Sequence, residues 1–423
     1  MLNQTVNPTR LKQFIRMVRI NGLTVPKRKK LEEELHAKST LILQRKFNFD
    51  HLETKNIKGK HIWKTDNHFE ILILKYVNYV LKKIYKVKQG NRNIITNQVN
   101  QLLKSCQEYT VIRTDIHSFY ESLNFEEIFS HIESDTILGN DIKYLISQIL
   151  EKCKENNPGI PRGICFSPTL AEYSLREFDS IIKNHQDVFY YSRYVDDIII
   201  FIKGASSLTI NKIKPFLPKG LHLNNNKSQV YKIQCRCNGH CMCTGSCKCI
   251  KKCKCKIEMS KNHKMNFLGY EFDFPDIPSD KLKERSVQVR ISNSKTKRIK
   301  SRIIYSLLDY IKTSNYALLK RRIQFLTSNY RVFENIEDVN LKAGIYFSYP
   351  IVNILDTLEE LNVFLKKAVT AKNKNFGTRL QAVITSVQKN ELTNYSFTRG
   401  YRERRLINFT SEEIALIKKC WSR

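Results

Sequence analysis

The sequence predicts an α+β core followed by a helical C-terminal domain, and two features carry that prediction. Strand-like and helical segments are mixed along residues 109–275, which is typical of an α+β fold. From about residue 295 onward, apolar residues recur at helical spacing among many lysines and arginines, as in SKTKRIKSRIIYSLLDYIK. A chain of 423 residues is long enough for two or three domains.

The individual elements follow in chain order. Residues 1–60 are basic and predict helices with polar connections, and HFEILILKYVNYVLKKIYKV (68–87) is apolar enough for a buried helix. A helical pattern follows the break KQGNR (88–92), and YTVIRTD (109–115) predicts a strand that passes into a helix. Residues 141–186 are mostly helical around the loop NNPGIPRG. VFYYSRYVDDIIIFIK (188–203) and MNFLGYEFDF (265–274) predict two hairpins.

The charge of the chain limits its partners. Lys plus Arg number 72 and Asp plus Glu 40, which gives a formal net charge of +32. This excess favours a polyanion, either nucleic acid or an anionic membrane surface. No window approaches the roughly 20 uninterrupted apolar residues of a membrane span, and MLNQTVNPTR lacks the apolar stretch of a secretory signal. We therefore expect a cytoplasmic protein with reduced thiols and no membrane partner.

Asp196 and Asp197 stand next to each other inside the first hairpin. An Asp pair can simply form a turn, because Asp bonds its own backbone there. The flanking residues, Phe189–Tyr191 and Ile198–Phe201, are too apolar for an exposed loop. Two unpaired like charges against a core would cost several kcal/mol, so cations must compensate. Mg²⁺, which prefers carboxylate oxygen, suits this role.

Asp115 is the best third carboxylate, because it ends the apolar strand TVIRTD. A strand-end carboxylate beside a hairpin-tip pair can hold two metal ions about 3.5–4 Å apart for in-line displacement at phosphorus. One ion would activate a 3′-hydroxyl and the other would stabilise pyrophosphate. This is the chemistry of a polymerase.

Five segments, taken in order, resemble the motifs of reverse transcriptases. They are TDIHSFYES (114–122), the first metal-binding motif; PGIPRGICFSPTLAEYSLREFD (158–179), the template- and nucleotide-positioning motif; YVDD (194–197), the YxDD signature; GLHLNNNKSQV (220–230), the motif with a trailing lysine; and NFLGY (266–270), the primer grip. Within the family, the residues of these motifs resemble those of bacterial defence-associated and abortive-infection enzymes, relatives of retron and group II intron reverse transcriptases.

The resemblance implies a right-hand polymerase. Fingers and palm would span residues 61–280, after a basic helical extension over 1–60 and before an all-α, thumb-like domain over 281–423. Two Mg²⁺ ions held by Asp115, Asp196 and Asp197 would support DNA synthesis from dNTPs on an RNA template. The product would be an RNA–DNA duplex. In this subgroup the template is expected to be a dedicated non-coding RNA used in anti-phage defence.

The resemblance also implies roles for side chains around the metals. Lys227 would protonate the departing pyrophosphate, and Tyr120 would be the steric gate that clashes with a ribose 2′-hydroxyl. Arg162 stands where retroviral enzymes have Gln. The implied nucleotide-binding residues are Ile116, Tyr120, Arg92, Lys88, Arg162, Gly163 and Ser167. Alternatives are a core aromatic for Tyr120, ordinary turn chemistry for Gly163, and solvated charges for the lysines.

Basic residues of the C-terminal helices fit a thumb that contacts phosphates of a template–primer duplex. The richest cluster comprises Lys297, Arg298, Arg302, Lys320, Arg321 and Arg322, and some of these side chains are expected to be merely solvated.

A cysteine-rich stretch forms a separate insertion at residues 234–257. Pairs of cysteines two residues apart repeat every six residues. They are Cys235, Cys237, Cys241, Cys243, Cys247, Cys249, Cys253 and Cys255. Eight thiolates could complete two Cys₄ zinc sites or one bridged cluster, although zinc ribbons usually space their cysteines differently. Iron–sulfur, Cu(I) and a metal-free loop are the alternatives.

Three functions remain open on the sequence. The first is templated reverse transcription. The second is template-independent or protein-primed DNA synthesis of the abortive-infection type, which needs the same carboxylates. The third is an RNA-binding scaffold with an idle polymerase site. Assembly around RNA, as a homo-oligomer or with a second protein subunit, is compatible with each.

Overall fold

The computed structural model describes residues 2–18, 20, 23–57, 59–105, 107–154, 159–204, 206–233, 262–275, 284–333, 340–373 and 375–421. The chain divides into two compact units. The first comprises Met1–Asn91, Tyr109–Lys232 and Asn335–Glu337, and the second comprises Arg92–Glu108, Ile233–Glu334 and Asp338–Arg423. This division differs from the predicted boundaries at 60/61 and 280/281, because the second unit takes in residues 92–108 and resumes at 233.

The elements up to residue 233 are α1 (Pro8–Met17), α2 (Val25–Leu43), β1 (Glu53–Ile57), β2 (Lys60–Lys64), α3 (His68–Ile84), α4 (Arg92–Leu103), β3 (Tyr109–Asp115), α5 (Phe119–Ser122), α6 (Phe125–Ser134), α7 (Asn140–Lys154), α8 (Ser167–Ser174), α9 (Arg176–Lys183), β4 (Val188–Tyr194), β5 (Asp197–Lys203), α10 (Ile210–Ile213), a 3₁₀ turn (Lys214–Phe216) and β6 (Gln229–Ile233).

The later elements are β7 (Asn262–Phe267), β8 (Tyr270–Pro275), β9 (Gln288–Ile291), α11 (Asn293–Thr313), α12 (Tyr316–Thr327), β10 (Asn329–Phe333), β11 (Asn340–Gly344), α13 (Asp356–Val369), α14 (Phe376–Val383), α15 (Ser386–Thr393), α16 (Phe397–Glu403), β12 (Leu406–Asn408) and α17 (Ser411–Lys419).

A four-stranded sheet with strand order β4-β5-β3-β6 lies at the centre of the first unit. Its inner strand β5 is buried along Ile198–Ile202, a β-branched and aromatic run that suits a strand covered on both faces. One apolar core joins this sheet to α3 and α7. Helix α3 starts where the Asn67 side chain accepts hydrogen bonds from two backbone N–H groups. The predicted buried helix and both predicted hairpins are confirmed.

The hairpin of β1 and β2 was not predicted. The expectation that residues 1–60 form only helices is wrong over Glu53–Ile57, which pair antiparallel with Lys60–Lys64. Most of the hairpin's side chains are exposed, so the segment lacks the apolar alternation that would have indicated strands. Its second strand also bridges in parallel to the loop that holds Arg162, through Ile62.

The second unit combines helices with two small sheets, β7-β8-β9 and β11-β10-β12. The expected helical C-terminal region is confirmed, and it also contains strands that the sequence did not predict. Strand β12 joins its sheet by pairing parallel with β10, a segment 77 positions earlier in the chain at Asn329↔Leu406. Phe325, Phe409 and Ile417 form a local core beneath α12 and α17.

Candidate active site

The turn between β4 and β5 consists of Val195 and Asp196, and it brings Tyr194 opposite Asp197. Two-residue hairpin turns need positive φ angles that favour Gly or Asn. Val195 has φ +59°, a conformation that a β-branched residue rarely adopts. Hairpin turns usually lie at the surface, but the strand that follows this one is buried along Ile198–Ile202. The strained turn therefore presents its carboxylates at the end of a rigid strand.

The third carboxylate lies directly beside this turn. Strand β3 pairs antiparallel with β5, and its last residue, Asp115, is opposite Asp197. The backbone N–H of Ile116 donates to the carbonyl of Asp196 at 3.1 Å, which continues the pairing past the strand end. The structure thus places Asp115 opposite Asp197 and next to the turn that holds Asp196.

Two of these carboxylates each pair with one cation. Lys227 Nζ lies 2.5 Å from Asp115 Oδ2, and Arg113 Nη2 lies 3.0 Å from Asp197 Oδ1. The lysine side chain is 56% exposed, whereas the arginine side chain is only 13% exposed. The Lys227 ammonium can therefore reach solvent, but its partner Asp115 is only 4% exposed and needs another cation when the lysine leaves. Arg113 is held by its surroundings.

The charges remain unbalanced despite these pairs. Burial raises the pKa of Asp197, Arg113 opposes that shift, and the charges of Asp196 and Asp115 add to it. Asp115 Oδ1 is buried without a hydrogen-bond partner. A buried carboxylate oxygen that lacks a donor is the kind of atom that a hard cation ligates.

The residues therefore fit Mg²⁺, although the three carboxylates are not gathered as a ligand cage. Within the described ranges, no group of three or more His, Cys, Asp or Glu side chains is assembled to hold a metal ion. Lys227 and Arg113 each bond one carboxylate oxygen here. Metal ligation by Asp115, Asp196 and Asp197 stays a prediction.

Tyr120, the expected steric gate, is half-buried and stacks against Arg162. The Arg162 guanidinium carbon lies 4.8 Å from the centre of the Tyr120 ring. Burial raises the pKa of Tyr120, so its hydroxyl stays neutral. Arg162 in turn forms two hydrogen bonds with the Glu121 carboxylate, at 2.7 and 2.9 Å. Glu121 has no role in the sequence analysis, and only its position after the aromatic residue could have marked it.

The loop before α8 packs closely on its neighbours, and the predicted residues Gly163 and Ser167 take part in this packing. Gly163 has φ +93°, and a Cβ there would lie 2.1 Å from the Trp63 carbonyl oxygen. The Trp63 N–H donates to the Arg162 carbonyl at 2.7 Å, and Ser167 Oγ donates to the Pro161 carbonyl at 2.6 Å. Gly163 is thus required by backbone contact, and Ser167 is a buried structural hydroxyl.

The remaining predicted nucleotide-binding residues differ in their surroundings. Ile116 is 1% exposed, so only its backbone could meet a ligand. Lys88 is exposed in the segment before α4. Arg92 belongs to the second unit, where its guanidinium donates to the carbonyls of Leu268 and Ser348. These bonds compete with the predicted contact between Arg92 and the nucleotide.

The basic cluster expected to contact phosphates is only partly available. Arg322 is 3% exposed and bonds Asp309 and the carbonyls at the end of α17. Arg321 pairs with Glu413 and Lys320 with Glu391. The prediction is therefore wrong for Arg322, because a distant helix end needs its donors. Lys297 and Arg298 are exposed on α11.

Arg193 was not predicted as part of the site. Its side chain is 4% exposed and donates to Glu172, Asp179 and the carbonyl of Val195. Burial alone would lower the pKa of Arg193, but the bonds and charges of Asp179 and Glu172 outweigh it and raise the pKa. The sequence feature that could have indicated a role for Arg193 is a charged residue in an otherwise apolar strand. Arg193 thus anchors the turn that presents Asp196.

The eight cysteines of the insertion at 234–257 lie outside the described residues, so the zinc prediction is not tested by the fold. None of the described helices is long and apolar enough to cross a membrane.

Comparisons with known proteins agree with the motifs. Residues 62–272 match the sequence profile of the family described as reverse transcriptase (RNA-dependent DNA polymerase). No curated protein matches.

Solved structures of yeast telomerase resemble the chain at low similarity. Telomerase from Candida tropicalis in complex with a TWJ fragment of telomeric RNA has 15% identity and a TM-score of 0.36, over 88% of this chain and 63% of that one. The apo form has 16% identity and a TM-score of 0.33, over 82% and 55%. The Candida albicans complex with a TWJ fragment has 13% identity and a TM-score of 0.30, over 82% and 53%. The chain thus spans less than two thirds of the length of these structures.

The profile match covers the central sheet, its hairpin turn and the loop before α8. It confirms the predicted α+β polymerase fold over those elements. The chain therefore contains a reverse transcriptase domain, the domain of RNA-dependent DNA polymerases, over residues 62–272.

Proposed function

We propose that the protein is an RNA-directed DNA polymerase that adds nucleotides by two-metal-ion transfer. One observation carries the proposal: Asp115 lies opposite Asp197, beside the turn that holds Asp196, inside a reverse transcriptase domain. Substrates would be dNTPs, a primer and an RNA template, and the product an RNA–DNA duplex. A net charge of +32 suits these polyanions.

The residues of the chain divide the work of the reaction. Asp115, Asp196 and Asp197 would hold Mg²⁺, which supplies a lowered hydroxyl pKa and neutralises charge on phosphate oxygens. Arg113 keeps Asp197 in place while leaving its second oxygen available. Lys227 is exposed enough to turn from Asp115 toward the departing pyrophosphate and donate a proton there. Tyr120 would lie under the sugar.

The biological setting is part of the same proposal. The motifs resemble enzymes of bacterial anti-phage defence, so the template would be a dedicated non-coding RNA and the site of action the cytoplasm. A homo-oligomer or a second protein subunit could complete the assembly. Template-independent or protein-primed synthesis and an RNA-binding scaffold are the competing functions.

The cysteine insertion would bind zinc for structure or RNA contact and not for catalysis. Its eight cysteines recur with a period of six, and four nearby lysines would favour thiolate. Elemental analysis by mass spectrometry of protein purified without chelator tests this. Protein free of zinc, iron and copper would contradict it.

The test of function is to purify the protein and its Asp196→Asn variant from cells and to sequence all bound RNA and DNA. Asp50→Asn, at an exposed position, is the matched control. DNA complementary to one bound RNA, present in wild type and control but absent from Asp196→Asn, supports templated synthesis. Low-complexity DNA without a matching RNA would favour untemplated synthesis. RNA alone in all three preparations would favour the scaffold.

A further inference from the structure

We infer that Glu121 and Arg162 are positioning residues that fix the Tyr120 ring and so set the discrimination against ribonucleotides. The inference rests on the proposed polymerase function. It adds a residue, Glu121, and a mechanism for Arg162 that does not require contact between the guanidinium and the nucleotide.

The geometry is that of a clamp with three parts. The Arg162 guanidinium lies over the Tyr120 ring at 4.8 Å, and Phe119 meets the same ring edge-on, with 5.5 Å between centroids. Glu121 holds the guanidinium with two hydrogen bonds, from Nε at 2.7 Å and from Nη2 at 2.9 Å. A bidentate pair fixes the plane of the guanidinium as well as its distance. The orientation of the stacked cation is therefore set by Glu121.

Backbone contacts fix both ends of this clamp. The Ile160 N–H donates to the Tyr120 carbonyl at 2.9 Å, and the Trp63 N–H donates to the Arg162 carbonyl at 2.7 Å. A Cβ at Gly159 would lie 2.2 Å from the Tyr120 carbonyl oxygen, so the two segments are in direct contact. These contacts hold the backbone, and the Glu121–Arg162 pair restricts the side chains.

Fixing the ring matters because a steric gate works by exclusion. A ring that can rotate away from the sugar accommodates a 2′-hydroxyl, whereas a ring held in one rotamer does not. The Glu121 and Arg162 side chains are 33% and 28% exposed, so solvent weakens their attraction. We therefore expect a partial loss of discrimination, by about threefold to tenfold, when the pair is broken.

The experiment measures kcat/KM for a dNTP and for the matching rNTP in primer extension. The variants are Glu121→Gln, Arg162→Lys, Tyr120→Ala and the double variant Glu121→Gln/Tyr120→Ala. Glu126→Gln is the matched control, because Glu126 lies on the neighbouring helix α6 and its exposed carboxylate pairs with Lys154 at the end of α7. Thermal melting reports whether each variant folds.

If Glu121 and Arg162 act through the Tyr120 ring, the variants should show a specific pattern. Glu121→Gln and Arg162→Lys lower the dNTP/rNTP ratio by about threefold to tenfold, mainly by raising rNTP incorporation. Tyr120→Ala lowers the ratio further, and adding Glu121→Gln to it changes nothing more. An unchanged ratio in Glu121→Gln, or additive effects in the double variant, would overturn the inference. Wild-type protein without any nucleotide transfer would overturn the proposed function and the inference with it.

Discussion

Replacing Arg193 by Met should destabilise the first unit strongly, although Arg193 touches no substrate in the proposed reaction. The change leaves Glu172 and Asp179, whose side chains are 12% and 29% exposed, without their buried cation. It also leaves the Val195 carbonyl without its 2.8 Å donor. Met fills a similar volume, so the lost charge dominates.

The magnitude follows from burial. Breaking a buried ion pair by removing one partner costs about 3–5 kcal/mol. The partial exposure of Asp179 reduces this to about 2–4 kcal/mol, because water can solvate the remaining charge. For a unit of this size, each kcal/mol shifts the melting temperature by about 2–4 °C. The expected fall is about 5–15 °C.

The assay is thermal unfolding followed by circular dichroism, repeated in urea for the free energy. A triple variant, Arg193→Met with Glu172→Gln and Asp179→Asn, provides the control. Removing both stranded charges should recover about half of the lost stability, since neutral amides need no cation. A single variant that melts within about 2 °C of wild type would refute the reasoning. A triple variant less stable than the single one would refute it too.

Three further predictions concern the site. Asp115→Asn should abolish primer extension without lowering the melting temperature, because it removes a like charge from a crowded group and keeps the shape of the side chain; a marked loss of stability would show that the Lys227 pair is structural. Lys227→Ala should reduce the extension rate by about tenfold or more with little change in the KM for dNTP, as loss of a proton donor does; single-turnover kinetics would measure it, and an unchanged rate would assign Lys227 to the surface. Gly163→Ala should cost about 2–4 kcal/mol, because its Cβ would lie 2.1 Å from the Trp63 carbonyl oxygen; urea unfolding checks this, and a stable variant would contradict the close packing.

Local patterns predicted the elements that carry the carboxylates. The run around Asp196 and Asp197 is apolar on both sides, so a hairpin was the natural reading. The register that brings Asp115 opposite Asp197 joins strands that are far apart in the sequence, and the local hydrophobic pattern does not predict it. The sequence connected the two segments only through the position of Asp115 at a strand end and through the resemblance to a known family.

Features that depend on distant partners were missed or misread. Arg322 resembles its neighbours in the KRR run, yet its donors bond carbonyls of α17, 95 and 94 positions away. The β1 and β2 hairpin is exposed and polar, so hydrophobic alternation could not reveal it. Glu121 was assigned no role, because its bidentate bond depends on a loop 41 positions later. Charge type is visible in a sequence, but the partner is not.

The second unit is discontinuous, because it includes α4 as well as the C-terminal part of the chain. Arg92 at the start of α4 donates to the Ser348 carbonyl, 256 positions later. At about 5–20 residues per second on the ribosome, α4 would wait about 10–50 s for that partner to be synthesised. During that interval Ile95, Val99 and Leu103, which are buried in the folded chain, lack the later part of their unit. A nascent chain stalled near residue 280 would therefore expose the apolar face of α4, the kind of surface to which chaperones bind.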